Sequence, residues 1–199
     1  MRLILVRHGH TDDLKYNIAQ GHRMTPLNRR GKIQAGKVGR ALAKIKIDVI
    51  YSSDLTRAVE TMQAIAKYHP TVMIQLDPAL REKGHGMYEG RPFQVLERAR
   101  MRHKQHGYRW RPRRGESFHD LFTRTKQWYR VFHRQHARGT IVVVSHGGFI
   151  RFLLTHIFHG PRYKVVPEYK HDNTGISVVE FRAGRPKLIK LNDTKHLHA

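Results

Sequence analysis

Apolar positions in this chain fall into two patterns. Short, nearly continuous runs at Leu3–Val6, Asp48–Tyr51 and Ile141–Val144 suit strands covered on both faces, as in a parallel sheet. A weaker run near Val72–Leu76 and two later ones, Ile176–Phe181 and Leu188–Leu191, read as further strands. Between the strands, apolar residues recur at helical spacing. Val38, Leu42 and Ile45 lie along one side of a helix that Asn28 is placed to cap. Leu55, Val59, Met62 and Ile65 line a second helix, with Ser53 or Asp54 as its cap. A longer helix is predicted from Ser117 to about His136, with Leu121, Trp128, Val131 and Phe132 facing inward, and another over Gly148–Phe158. Strands alternating with helices predict an α/β fold: a three-layer sandwich with a mostly parallel central sheet and helices on both faces.

In such sheets ligands bind at the carboxyl ends of the strands. Arg7 and His8 follow the first strand, Ser52–Arg57 the second, and Ser145, His146 and Gly147 the strand "TIVVV". Two Arg and two His therefore reach one sheet edge, where they form an anion pocket suited to phosphate. Arg offers a planar fork matched to phosphoryl oxygens, and a neutral imidazole can attack phosphorus directly. No Asp/His cluster has clear metal spacing, so guanidinium and imidazolium groups are expected to meet the charge of a transferring phosphoryl group, with no cofactor or metal.

Composition narrows this further. The absence of Cys excludes disulfides and thiolate catalysis. At 199 residues, with no repeat, linker or composition break, the chain is expected to form one domain over residues 1–199. Leu3–Val6 is too short for a signal peptide or a membrane span, so a cytoplasmic protein with no membrane partner is expected. The formal charge of +23 attracts anions, from phosphorylated metabolites to nucleic acid. Adaptation to an unusual cellular milieu explains it equally well. Oligomeric state leaves no trace in the sequence.

The motifs, taken in order, resemble those of the histidine phosphatase, or phosphoglycerate mutase-like, superfamily, nearly end to end. "LVRHGHT" resembles the signature that carries the nucleophilic His, and "QGHRMTPLNRRGKIQAG" the segment after it. "YSSDLTRAVETM" is similar to the stretch with the second phosphate-binding Arg. "LREKGHGMYEG" is similar to the acid-bearing stretch, "RRGES" to a family turn and "VVVSHGGFIR" to the second-His motif. "DNTGISVVEF…LNDTKHL" resembles the ending of phosphatase members. The resemblance implies that His8 becomes phosphohistidine and that Arg7, Arg57 and His146 grip the phosphoryl oxygens. It implies that Glu82 protonates the leaving oxygen and then takes a proton from the attacking water. A carboxyl beside bound phosphate feels like charge, which favours its acid form. Gln20 and Gly21 stand where the family contacts substrate, and Gly147 follows the second His. The chain departs from the family at Leu14, where Asn is frequent, with Asn17 the nearest replacement. It also carries Thr11 where the acid phosphatase branch has Arg.

Phosphomonoester hydrolysis is the function implied, acting on a small phosphorylated substrate. Phosphoglycerate mutase is the alternative. Related mutases carry longer enclosing segments after the acid motif and at the tail, and a mutase must keep water from its intermediate. The stretch from Arg91 to Arg114 holds nine Lys/Arg and one Glu, interleaved with Phe93, Tyr108 and Trp110. It is expected to form a cap-like segment beside the site. Three readings stand for it: selection of acidic substrates, weak polyanion or nucleic-acid binding with base stacking, or a solvated basic helix. "HGMYEG" is similar to the run in metal-independent phosphoserine phosphatases, where a His lies near the amino-acid part of the substrate. His85 is therefore either a substrate contact or a turn residue exposed to water.

Overall fold

In the computed structural model, which describes residues 1–160 and 167–198, the apolar runs pair into one six-stranded sheet. Its strands are β1 (Arg2–Arg7), β2 (Val49–Ser52), β3 (Met73–Leu76), β4 (Thr140–Ser145), β5 (Ile176–Arg182) and β6 (Arg185–Asp193), in the order β3-β2-β4-β1-β5-β6. The first four in that order run parallel. β5 runs antiparallel to β1, and β6 returns beside it through a turn at Ala183 and Gly184, both with positive φ.

Alternation along each strand builds the two outer layers. Leu3, Leu5, Val49, Tyr51, Ile141 and Val143 face one core, covered by α5 (Phe118–Gln135) and α6 (Gly147–His159). Ile4, Val6, Ile50, Val142 and Val144 face the other, covered by α2 (Arg29–Leu42) and α3 (Thr56–Ala66). Two further helices, α1 (Asp12–Lys15) and α4 (Phe93–Arg102), line a cavity at the carboxyl edge of the sheet. Among the described residues, no helix is long and apolar enough to cross a membrane.

Asn28 caps α2 as expected, its side chain accepting from Gly31 N. Ser117 caps α5 in a reciprocal capping box with Asp120. Three expectations need correction. Ile45 lies past the end of α2, although it still packs against the core. α3 begins after Leu55 with no side-chain cap, because Asp54 is held by Arg81 (Nε to Oδ1, 2.7 Å) and Ser53 turns toward His146. Val131 faces outward, 51% exposed; the buried stripe of α5 runs through Leu121, Thr125, Trp128 and Phe132.

Candidate active site

β2, β4 and β1 are neighbours, so their carboxyl ends deliver Arg57, His146 and the Arg7–His8 pair to one place. Behind β1 the chain turns sharply at Gly9, where a Cβ would sit 2.7 Å from Gly31 O. Thr61 fastens this turn to α3: its Oγ1 accepts from Gly9 N at 3.0 Å and donates to Arg57 O at 2.7 Å.

His8 is buried, 3% exposed. Its Nδ1 lies 2.7 Å from Gly9 O; a carbonyl only accepts, so Nδ1 carries the hydrogen and Nε2 keeps its lone pair. Burial, then the charges of Arg57 and Arg7, hold its pKa well below the ordinary imidazole range. The ring is therefore neutral at neutral pH, the form a nucleophile needs.

Around His8 stand buried donors. Arg57, 1% exposed, donates Nη1 to Arg23 O and Nη2 to Gly21 O, both at 2.8 Å. Burial pushes its pKa down to about 10, with Glu82 opposing, so it stays charged. Arg7 donates Nη1 to His171 O at 2.6 Å. The Nε groups of both arginines are buried and unpartnered. His146, whose ring centroid lies 5.0 Å from that of His8, meets Ser53 Oγ through Nε2 at 2.9 Å. With the Ser53 hydroxyl donating, Nδ1 carries hydrogen, and it too is buried without a partner. Three N–H groups in this state make a site built for an anion.

Glu82 lies on the wall of the same pocket. Its carboxylate accepts from Lys83 N and from Gly148 N in the first turn of α6, each at 2.9 Å. Its backbone carbonyl accepts from His22 Nε2 at 2.8 Å and Arg124 Nη2 at 3.2 Å. Arg124 also bonds Ala79 O, Arg81 O and Glu116, which fixes the whole acid-bearing loop.

The other expected residues divide. Gln20, Gly21, Asn17 and Leu14 line the pocket, as does His85. Gly21 takes φ +51, where a Cβ would strike Glu89. His85 is half-buried rather than exposed to water, edge-on to Phe93 at 6.4 Å. Gly147 lies behind Arg7, a Cβ there being 3.4 Å from Arg7 Nε, and its neighbour Gly148 reaches the cavity. From the basic segment 91–114, α4 contributes Phe93, Leu96, Glu97 and Arg100 to the pocket wall. Arg111 instead pairs with Asp120 (2.6 Å). Of the three rings in this segment, Trp110 packs with His103 and Tyr88, Tyr108 with Phe152 and His119, and Phe93 lines the pocket. Ser53, expected as a helix cap, instead meets His146. His22, Arg124 and Lys83 carried no expected role, although His22 and Lys83 sit inside the motifs "QGHRMTPLNRRGKIQAG" and "LREKGHGMYEG".

Neutral buried histidines make stability depend on pH. His8 and His146 are held well below the ordinary value, burial being the largest cause. His85 and His171 are pushed down to about 4, again chiefly by burial. Below about pH 6.5 the unfolded chain binds protons that the folded chain does not, which costs about 1.4 kcal/mol per pH unit for each fully shifted group. The stability associated with depressed pKa values is thus present above pH 6.5 and lost as pH falls toward the folded values. The melting temperature should drop steeply between about pH 6.5 and pH 5; a flat profile over that range would contradict these assignments.

The family model described as histidine phosphatase superfamily (branch 1) matches residues 3–194. Phosphoserine phosphatase 1 of Hydrogenobacter thermophilus is 30% identical over 99% of this chain and 94% of its own length. Among solved structures, phosphoserine phosphatase of Entamoeba histolytica in complex with phosphoserine superposes with a TM-score of 0.81 at 30% identity, covering 98% of both chains. YhfR of Bacillus stearothermophilus shares the fold at a TM-score of 0.87 and 24% identity, covering 98% of both.

Proposed function

This chain belongs to the histidine phosphatase superfamily, branch 1, and is a phosphatase; we propose that it hydrolyses small phosphomonoesters through a phosphohistidine at His8. The observation that carries this reading is a neutral, buried His8 with its Nδ1 tied to Gly9 O, beside Arg7 Nε, Arg57 Nε and His146 Nδ1, all buried without partners.

In the first step the Nε2 lone pair of His8 attacks phosphorus and the bond from phosphorus to the ester oxygen breaks. Glu82 gives its proton to that oxygen, and the alcohol leaves. The Nε groups of Arg7 and Arg57, with His146 Nδ1, meet the charge that spreads over the equatorial oxygens. In the second step water attacks the phosphohistidine, Glu82 takes the proton, and phosphate and neutral His8 are restored. Gly148 N and Lys83 N keep the Glu82 carboxylate in place through both steps.

Every charge assigned to the phosphoryl group here is organic. Hydrolysis of nitrophenyl phosphate should therefore survive dialysis against EDTA with less than a two-fold change in kcat. With 3-phosphoglycerate, inorganic phosphate should form in large excess over the 2-isomer. Loss on chelation with rescue by a divalent metal would overturn the mechanism. Efficient isomerisation with little phosphate release would make the chain a mutase.

A further inference from the structure

Two motifs near the end of the chain, "DNTGIS" and "LNDTKHL", have no task in the chemistry at His8, yet the fold brings them together behind Arg7. The edge strand β6 carries a bulge. Ile176 faces Asp193 and Val178 faces Lys190, so Leu191 and Asn192 together oppose Ser177. Asn192 takes φ +48 there, a backbone state uncommon outside glycine. Bulges re-aim side chains, and backbone strain gathers where function depends on it.

The bulge turns Asn192 onto the segment 171–173. Its Oδ1 accepts from Asp172 N at 2.8 Å, and its Nδ2 donates to Asp172 Oδ2 at 2.9 Å. A Cβ at Gly175 would strike the same Oδ1, so the glycine makes room for this approach. Asn192 N donates to Ser177 Oγ at 2.8 Å, which lies 2.6 Å from His171 Nε2. Nδ1 of that ring faces Tyr169 O at 3.0 Å and carries the hydrogen, so the serine hydroxyl donates to Nε2. Asn192 thus holds residues 171 and 172 from two directions.

That turn carries Arg7 and His8. His171 O fixes one end of the Arg7 guanidinium at 2.6 Å and leaves its Nε buried without a partner. Thr174 N donates to Arg7 O and Asn173 Nδ2 to His8 O, both at 3.0 Å. The two Asn192–Asp172 bonds lie at the surface, where water replaces a lost partner at little cost to stability. Their consequence is geometric: a misplacement of about 1 Å at a reacting group can cost about 100-fold in rate.

We propose that Asn192 is a positioning residue, which through Asp172 and His171 fixes the Arg7 guanidinium against the phosphoryl group. The proposal rests on the hydrolytic reading of the site, in which Arg7 meets the transition state, and it gives Asn192 no contact with substrate.

Vanadate takes the five-coordinate geometry of a transferring phosphoryl group, so its inhibition reads the placement of Arg7 without turnover. Asn192→Gly keeps the positive φ and deletes the amide; Asn192→Asp sets two carboxylates against each other. Each should weaken vanadate inhibition ten-fold or more and lower kcat on nitrophenyl phosphate by a similar factor, with KM changed less. Asn192→Asp combined with Asp172→Asn exchanges the partners, restores both contacts and should recover most of the loss. Melting temperatures of all three proteins should stay within a few degrees of wild type. A bulge that only blunts the edge of the sheet would leave vanadate inhibition of Asn192→Gly at the wild-type level, which would overturn the proposal. So would an exchanged pair no better than Asn192→Asp alone, or losses that follow melting temperature rather than the contacts. Should Asn192→Gly fail to fold, Asp172→Ala removes the acceptor of Asn192 Nδ2 from the exposed side and carries the same expectation. Wild-type protein that vanadate does not inhibit would refute the hydrolytic reading and the proposal with it; inhibition retained in the Asn192 variants refutes the positioning alone.

Discussion

His8→Ala should lower kcat on every phosphomonoester by roughly 10⁴-fold or more, because no other described side chain presents a free imidazole lone pair at this position. The loss should be confined to chemistry. Arg7, Arg57 and His146 keep their supports, which come from His171 O, Gly21 O, Arg23 O and Ser53, so the variant should still bind inorganic phosphate with an affinity within about ten-fold of wild type. The two readouts separate a missing nucleophile from a collapsed pocket. Calorimetry with phosphate and steady-state assay with nitrophenyl phosphate check both. A variant that retains a tenth of wild-type turnover would show that the nucleophile lies elsewhere, whereas loss of phosphate binding together with turnover would mean the substitution has damaged the pocket itself.

Glu82→Gln should have an effect that depends on the leaving group. An alkoxide needs a proton as its bond to phosphorus breaks; a nitrophenolate leaves almost unaided. General acid help is typically about 10²–10⁴-fold, so the variant should lose about that much on glycerol 3-phosphate. On nitrophenyl phosphate the loss should be about ten-fold or less, the part due to activating water for the second step. The comparison must be made within one variant. Glu82 accepts from two backbone N–H groups, and a glutamine turns its NH₂ against one of them, which loosens the loop for both substrates equally. Only the ratio between substrates reports proton transfer. Equal losses on the two would show that Glu82 is not the acid.

Much of this fold is legible in the chain itself. Strands inside a covered sheet are apolar almost without interruption, and Leu3–Val6 and Ile141–Val144 stand out for that reason. His8, Arg57 and His146 are legible because parallel strands carry their succeeding loops to one edge of the sheet. Other features depend on contacts that sequence separation hides. Ser53 reads as a helix cap by its position, yet its hydroxyl meets His146, 93 residues further on. Val131 fits an apolar spacing, but the stripe through Leu121, Trp128 and Phe132 already covers the sheet. The basic segment reads as one patch; in the fold α4 turns Arg100 to the pocket while Arg111 meets Asp120 on the surface. Lys83 is the hardest to see. A lysine in a polar loop reads as solvated, and only packing shows it to be enclosed.

Catalysis through a phosphoryl group on His8 can be seen directly by rapid acid-free quench with peptide mass spectrometry. Mixed with a good substrate and stopped within the first turnover, the wild-type protein should carry one phosphoryl group, stable to base and lost in acid, on the peptide that contains Arg7, His8 and Gly9. The label should be absent from His8→Ala protein and should decay with release of inorganic phosphate at a rate no slower than kcat. Phosphate produced in the first turnover with no labelled His8, or a label on His146 instead, would rule out His8 as the nucleophile.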